Sequence, residues 1–329
     1  MKNTQGTPAA LKFTKPQLLE IYQKMCEMRR FEERAASLYQ QGQIGGFCHL
    51  YIGQEAILAG CKAATKEGDD YITSYRCHAT ALACGVPPQA VMDELCGKAT
   101  GISKGKGGSM HMFDPAKNFW GGHGIVAAQA PLGAGLAFRH KYNGTDGVAL
   151  TFLGDGAANA GQFFESLNMA AVWKLPVLFI IENNRYGMGT SVPRAAAGDL
   201  YKRGEPFGIK GQQIDGQDFF TVANAVNQAV TEIRSTGMPQ LIEFDTYRYR
   251  GHSMSDPGNY RHRTEVEEIK RTRDPLLKLA EQLTQNHGIN QADLDQIDDQ
   301  IKTEIKTVAD QALQAPLPDE SQLWTEIHG

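Results

Sequence analysis

The sequence predicts an α/β protein: a parallel sheet flanked by helices on both faces, with an N-terminal helix and a C-terminal helical tail. Three observations carry that expectation. From residue 125 onward, short apolar runs alternate with helical segments, the order that crossover connections in a parallel sheet require. Ahead of them, apolar residues in 14–41 recur at spacings of three and four. Behind them, the charged periodic segments 264–286 and 291–313 read as surface helices. No internal repeat or low-complexity linker divides the chain, so one domain over 1–329 is expected, with an N-terminal arm and helix in 1–45 and the helical tail in 264–329.

Taken in order, residues 1–13 read as a loose arm. In the helix 14–41 the stripe is Leu18, Ile21, Met25, Met28, Phe31, Ala35 and Leu38. Thr14 with Pro16 marks its start and Gly42 its stop. Such a stripe serves the core or a partner interface. The stretch "GQIGGFCHLYIGQ" at 42–54 is glycine-rich and aromatic. A helix is expected at 54–66 and a strand at 70–76. Residues 101–124 form a long glycine-rich loop whose Met, Phe and Trp content argues against plain disorder. Then follow a helix at 126–141, a strand at 147–153, a helix at 160–173, a strand at 176–182, a loop at 184–215, a helix at 218–236 and a strand at 240–249.

Composition narrows the class. The 329 residues are 41% hydrophobic and 21% charged, as in an ordinary globular protein, and the net charge of −4 offers no attraction to nucleic acid or an anionic membrane. The six cysteines form no C-x-x-C pair, which disfavours a zinc knuckle or a disulfide framework and suits a reducing, cytosol-like compartment. No signal-like segment is seen, and the longest apolar run, Val177–Ile181, is too short to span a bilayer.

The candidate chemistry lies in two loops. "LGDGAANAGQFFE" puts Asp155 between Gly154 and Gly156 at the end of one apolar strand; "PVLFIIENNRYGMG" puts Asn183 and Asn184 at the end of the next. Ligands of open parallel sheets bind beyond the carboxyl ends of the strands, so Asp155 and Asn184 can address one ion. A carboxylate, an amide oxygen and a nearby main-chain carbonyl such as that of Tyr186 are hard ligands that suit Mg²⁺ or Ca²⁺ completed by water and phosphate oxygens. Gly156 lets the backbone approach a phosphate, at the N-terminus of the following helix. Asp-Gly and Asn-Asn are each common in turns; at two successive strand ends they point to a site together. "GISKGKGGS" does not fit G-x-x-x-x-G-K-[ST], and no G-x-G-x-x-G opens a helix, which disfavours a P-loop or a dinucleotide site.

The pair GDG…NN resembles the thiamine diphosphate-binding motif. "GFCHLYIGQEA", "YRCHA", "GKGGSMHMF", "GIVAAQAPLGAG", "GDGAANAGQFFESLNMAAVWKLP", "IIENNRYGMGTSV" and "YRYRGHSMSDP" follow in order. Over about residues 20–275 the chain resembles the alpha subunits of the decarboxylating, thiamine diphosphate-dependent component of pyruvate dehydrogenase complexes, and hence the thiamine diphosphate-binding fold. The resemblance implies Mg²⁺ held by Asp155, Asn184 and the Tyr186 carbonyl, and diphosphate contacts from Gly156, Ala157, Tyr75 and Arg76. It implies Gly124, Val126 and Ala116 beside the aminopyrimidine, His252 near the diphosphate and reacting carbon, and His49 facing the substrate carboxylate. His252 and His49 are the catalytic candidates.

The same resemblance implies oxidative decarboxylation of pyruvate, with the acetyl unit passing to a lipoyl group on a partner acyltransferase. It also implies a beta subunit, which supplies an activating glutamate within an α₂β₂ assembly, and a bacterial, cytoplasmic setting. The alternative is the alpha subunit of a branched-chain 2-oxo acid or acetoin dehydrogenase. Ser253 and Ser255 are present, but "GNYR" has no serine at a later regulatory position, so phosphorylation control is not expected. Arg248 and Arg250 read as charges on a loop edge, and Met110, Met112, Phe113 and Trp120 as packing. His78 and His123 read as loop-ordering residues, and Glu165 as a solvated helix position.

Overall fold

The computed structural model of the chain describes residues 9–327. Six strands form its main sheet: β1 (Asp70–Ser74), β2 (Phe119–His123), β3 (Ala149–Gly154), β4 (Val177–Asn183), β7 (Lys210–Asp215) and β8 (Gln240–Asp245). A separate hairpin joins β5 (Tyr186–Gly187) to β6 (Thr190–Ser191). The main sheet is parallel throughout, in the order β2-β1-β3-β4-β8-β7. The helices are α1 (Lys15–Gln40), α2 (Glu55–Ala64), α3 (His78–Ala83), α4 (Pro88–Leu95), α5 (Gln129–Asn143), α6 (Gly161–Trp173), α7 (Val192–Ala195), α8 (Phe219–Thr236), α9 (Arg263–Arg273), α10 (Pro275–His287) and α11 (Gln291–Gln314).

The central strands are apolar on both sides because both faces are covered. In β4, Leu178 and Ile180 enter the larger core, built with α1, α2, α8 and the tail helices; Val177, Phe179 and Ile181 enter the second core, under α5 and α6. Each such side chain contributes about 1.5–3 kcal/mol on burial. The small residues of α5 permit close approach: a Cβ on Gly133 would stand 2.0 Å from Thr151 Oγ1 of β3.

Besides the hairpin β5–β6, the two strands of the main sheet that the sequence hid in loops are its two edges. β2 is FWGGH and β7 is KGQQID, half-exposed along most of its length. β7 is partly wet and needs no apolar run, and β2, mostly buried, carries two glycines in place of apolar side chains, so the signature of each is lost. Two other strands end early: β1 stops at Ser74 rather than residue 76, and β8 at Asp245 rather than 249. The helix expected at 126–141 begins at Gln129. The segment 264–286 is two helices, because Pro275 cannot continue α9 and Asp274 caps α10 by accepting from the Leu276 and Leu277 amides.

The stripe of α1 is spent inside the chain, against α2, α3, α10 and α11. Of the expected loose arm, residues 1–8 lie outside the described residues. Residues 9–13 are tied down: the Leu11 amide donates to Asn224 Oδ1 at 2.8 Å, and Phe13 packs on Phe219 and Phe220 of α8.

Two buried carboxylates organise the site's surroundings. Glu55, at the start of α2, receives a bidentate contact from Arg29 of α1 at 2.6 and 2.9 Å, and Arg29 also donates to Asp274 at 3.0 Å. Glu94 of α4 accepts from the main-chain amides of Ser103, Gly105, Gly107 and Gly108 at 2.7–2.9 Å. The glycine-rich loop thus cradles an anion, and the anion is a carboxylate of its own chain.

Candidate active site

Five neighbouring strands deliver their carboxyl ends to one cavity of about 760 Å³. β2 leads to Gly124 and Val126, β1 to Tyr75 and Arg76, β3 to Asp155, Gly156 and Ala157, β4 to Asn184 and Tyr186, and β8 to Arg248 and His252. His49 enters from the segment between α1 and α2. Every candidate residue except Ala116 lines this cavity. Ala116 sits on an exposed turn at the amino end of β2, whereas the cavity gathers at the carboxyl ends.

Asp155 and Asn184 each follow directly on the end of one of two adjacent strands, where Gly154 is paired with Glu182. The loop after Asn184 folds back over the GDG turn. A Cβ on Gly187 would stand 3.2 Å from the Gly156 Cα, and one on Gly156 3.3 Å from the Gly187 Cα, so a side chain at either position would push the two loops apart by a few tenths of an ångström. Ala127, Arg185 and Met188 hold left-handed backbone conformations around this rim, at φ of 65°, 81° and 52°. Such conformations cost on the order of 1–3 kcal/mol each and gather where ligands are clamped.

The charges explain what the cavity attracts. Arg76 and Arg248 are both buried, at 5% and 1% exposure. Burial, then the neighbouring Arg248, lowers the Arg76 pKa to about 10. Arg76 donates to the His252 carbonyl at 2.9 Å and also contacts that of Leu50. Burial likewise raises Asp155 to about 6 and Glu182 to about 7, although both guanidiniums pull Asp155 down. Two desolvated guanidiniums favour an incoming anion, while Asp155, at about 6, is still ionised at pH 7 and offers a carboxylate to a cation.

The oxygens of the candidate metal ligands already face a cation. Arg248 donates to the Tyr186 carbonyl at 2.9 Å, to Asn184 Oδ1 at 3.4 Å and to the Met188 carbonyl at 3.0 Å. With Asp155 in the turn after the neighbouring strand, these oxygens fit a hard divalent ion. The set contains one carboxylate; among the described residues no group of three or more His, Cys, Asp and Glu competes for a metal.

The rings of His49, Tyr75 and His252 pack together, with centroids 4.6 Å, 5.2 Å and 5.5 Å apart. Burial, then the nearby Arg76, pushes His49 down to about 2 and His252 down to about 4. Both imidazoles are therefore neutral at pH 7, and the buried Nδ1 of each has no hydrogen-bond partner among the described residues. Such groups can accept or donate a proton at a bound reactant.

Residues 23–321 match the family described as "Dehydrogenase E1 component". The chain belongs to that family. As an E1 component, it is 51% identical to the pyruvate dehydrogenase E1 component subunit alpha of Rickettsia felis, with 98% of each chain covered. It is 52% identical to the protein of that name from Rhizobium meliloti, over 96% of this chain and 91% of the relative, and 52% identical to that of Zymomonas mobilis, over 94% and 88%.

Within this E1 component, sequence reasoning missed four residues of the site: Arg248, Glu182, Gln54 and Met110. Arg248 was expected on a loop edge and instead reaches the cavity, while Arg250 points out. Glu182 lines the cavity one position before the asparagines, and Tyr51 donates to its carboxyl group. Gln54, wholly buried, holds Asn184. Met110 lines the cavity, whereas Met112 packs in the core and Trp120 Nε1 donates to Asp70 at 2.7 Å. His78 bridges Glu32 and Ser109, and Glu165 is exposed.

Proposed function

We propose that this chain is the alpha subunit of a pyruvate dehydrogenase, using thiamine diphosphate and Mg²⁺ to decarboxylate pyruvate oxidatively and pass the acetyl unit to a lipoyl group. The observation that carries the reading is one cavity holding both a hard-oxygen ligand set and two buried guanidiniums. Asp155 Oδ, Asn184 Oδ1 and the Tyr186 carbonyl would hold Mg²⁺. Arg76, Arg248 and the backbone of Gly156 and Ala157 would receive the diphosphate. The thiamine diphosphate supplies the nucleophilic carbon and the electron sink for loss of CO₂.

The chain's own residues do the rest. Arg76 and Arg248 offset the diphosphate charge in a medium where that interaction is strong. Gly124 and Val126 line the end of the cavity reached from β2, where the ring system would lie. The imidazoles of His252 and His49 line the cavity, where they would donate a proton to, or take one from, the reacting oxygens. Tyr75 fixes the spacing of the two imidazoles and excludes water.

A beta subunit fits the outer surface. Ile125 and Val126 are exposed beside Gly124, and the outer faces of α5 and α6 expose Leu132, Phe138, Tyr142, Val172 and Trp173. Apolar residues in such a group mark a protein interface, and the resemblance expects the activating glutamate from that partner in an α₂β₂ assembly. A lipoyl-bearing acyltransferase would receive the product. Among the described residues no helix is long and apolar enough to cross a membrane; a bacterial cytoplasmic setting is part of this proposal.

Reconstitution with a beta subunit tests the reading. The pair, with Mg²⁺ and thiamine diphosphate, oxidises pyruvate in preference to branched-chain 2-oxo acids and acetoin, read for each substrate as reduction of an added electron acceptor, and Asp155→Ala abolishes the turnover. Equal turnover by the Asp155→Ala pair would overturn the metal role, and a preference for another substrate would overturn pyruvate.

A further inference from the structure

An asparagine side chain has two ends of nearly equal size, and only its oxygen can bind a cation. Asn184 serves as a ligand only if its amide is turned the right way. Three contacts determine that orientation. Gln54, wholly buried at the N-terminus of α2, donates from Nε2 to the main-chain carbonyl of Tyr51 at 3.4 Å. Its Oε1 accepts from Asn184 Nδ2 at 3.2 Å. On the other side, Asn184 Oδ1 accepts from Arg248 at 3.4 Å.

The order of these contacts has one consistent polarity. A main-chain carbonyl accepts and never donates, so Gln54 turns its NH₂ toward Tyr51. That leaves Oε1, which accepts only, facing Asn184. Asn184 therefore gives its NH₂ to Gln54 and its oxygen to the cavity. A peptide carbonyl that cannot flip thus sets the orientation of an amide two side chains away.

We propose that Gln54 is a positioning residue: its buried carboxamide, oriented by the Tyr51 carbonyl, fixes Asn184 Oδ1 toward the divalent cation. The inference rests on the reading of Asn184 as a metal ligand. Without Gln54, a turned Asn184 presents an N–H₂ group to the ion, which removes a ligand and adds repulsion. Partners that orient a ligand in this way are worth about 10–100-fold in metal affinity.

The test uses the chain assembled with its beta subunit and thiamine diphosphate, with Mn²⁺ as an ion visible by electron paramagnetic resonance. Gln54→Leu is expected to weaken Mn²⁺ binding about 10–100-fold. In an Asn184→Asp background the carboxylate presents an oxygen in either orientation, so there Gln54→Leu is expected to change Mn²⁺ affinity less than about threefold. Loss of the same factor in both backgrounds would mean that Gln54 only fills space, and would overturn the proposal. So would an unchanged affinity in the Gln54→Leu protein while Asn184→Leu weakens binding. If Asn184→Leu itself leaves Mn²⁺ affinity unchanged, the ligand reading fails instead, and Gln54 loses this role with it. Gln54→Met keeps the length of the side chain and stands in, with the same two expectations, where Gln54→Leu prevents assembly.

Discussion

Arg248 donates to the main-chain carbonyl of Tyr186 at 2.9 Å, and so joins the loop after β8 to the loop after β4. The same guanidinium reaches the Met188 carbonyl and the Tyr260 hydroxyl at 3.0 and 2.8 Å. A planar group with several fixed donors is needed to make these contacts together. Lysine keeps the charge but not the fork. Arg248→Lys is therefore expected to weaken thiamine diphosphate binding by the assembled enzyme about 10–100-fold. Calorimetric titration checks this, and affinity within twofold of the parent protein would contradict it.

Glu94 offers four acceptor contacts to the glycine-rich loop through two oxygens. Glutamine keeps one oxygen and turns an NH₂ toward donors. Glu94→Gln is expected to cost about 2–4 kcal/mol, since hydrogen bonds to a charged group are the stronger kind and the loop amides are left unpaired. Hydrogen exchange at Gly105, Gly107 and Gly108 should accelerate, and trypsin should cut after Lys104 and Lys106 sooner. Unchanged exchange at those three amides would show that the carboxylate does not hold the loop.

The parts of this molecule legible in the sequence were those with a periodic or a chemical signature. β3 and β4 are buried on both faces and read as apolar runs, and Asp155 and Asn184 stood out because they interrupt the chain at the ends of those runs. β7 was not legible because an edge strand answers to one neighbour and to water, and β2 was not because two glycines interrupt its short apolar pattern. Arg248 looked like any loop arginine; only the packing of the β8 loop against Tyr186 turns it inward. Gln54 was invisible for another reason: its role depends on the direction of a carbonyl at Tyr51, which residue type does not record. Ala116 was placed by resemblance alone, and the turn it occupies lies at the other end of its strand.

The two cavity histidines make stability depend on pH. Their pKa values are lowered by burial, to about 2 for His49 and about 4 for His252. Unfolded, both return to about 6.5. Above that value both states are neutral and nothing is lost. As pH falls from 6.5 toward 4 the unfolded chain takes up protons that the folded chain refuses, so stability declines through that window. After allowance for solvent screening, each imidazole accounts for on the order of 1 kcal/mol between pH 7 and pH 5. Urea titrations of the chain carrying His49→Asn and His252→Asn should show a smaller loss over this interval than the parent. Equal losses would mean that the imidazoles titrate normally in the fold.

Arg29 is the last test, because it separates a buried ion pair's worth from the cost of breaking it. Its guanidinium, 9% exposed, serves Glu55 bidentately and Asp274 as well, and Tyr249 donates to the same Asp274 oxygen at 3.1 Å. α1, α2, α10 and the loop after β8 meet there. Arg29→Met fills the volume but leaves two buried carboxylates without a cation, so it is expected to destabilise the chain by about 3–5 kcal/mol. Replacing Glu55 by Gln in the same protein removes one stranded charge and should recover about half of that loss. Denaturant unfolding of the single and double variants measures both. A loss below about 1 kcal/mol in Arg29→Met would show that water reaches the carboxylates, and that the four elements are held together by their apolar contacts alone.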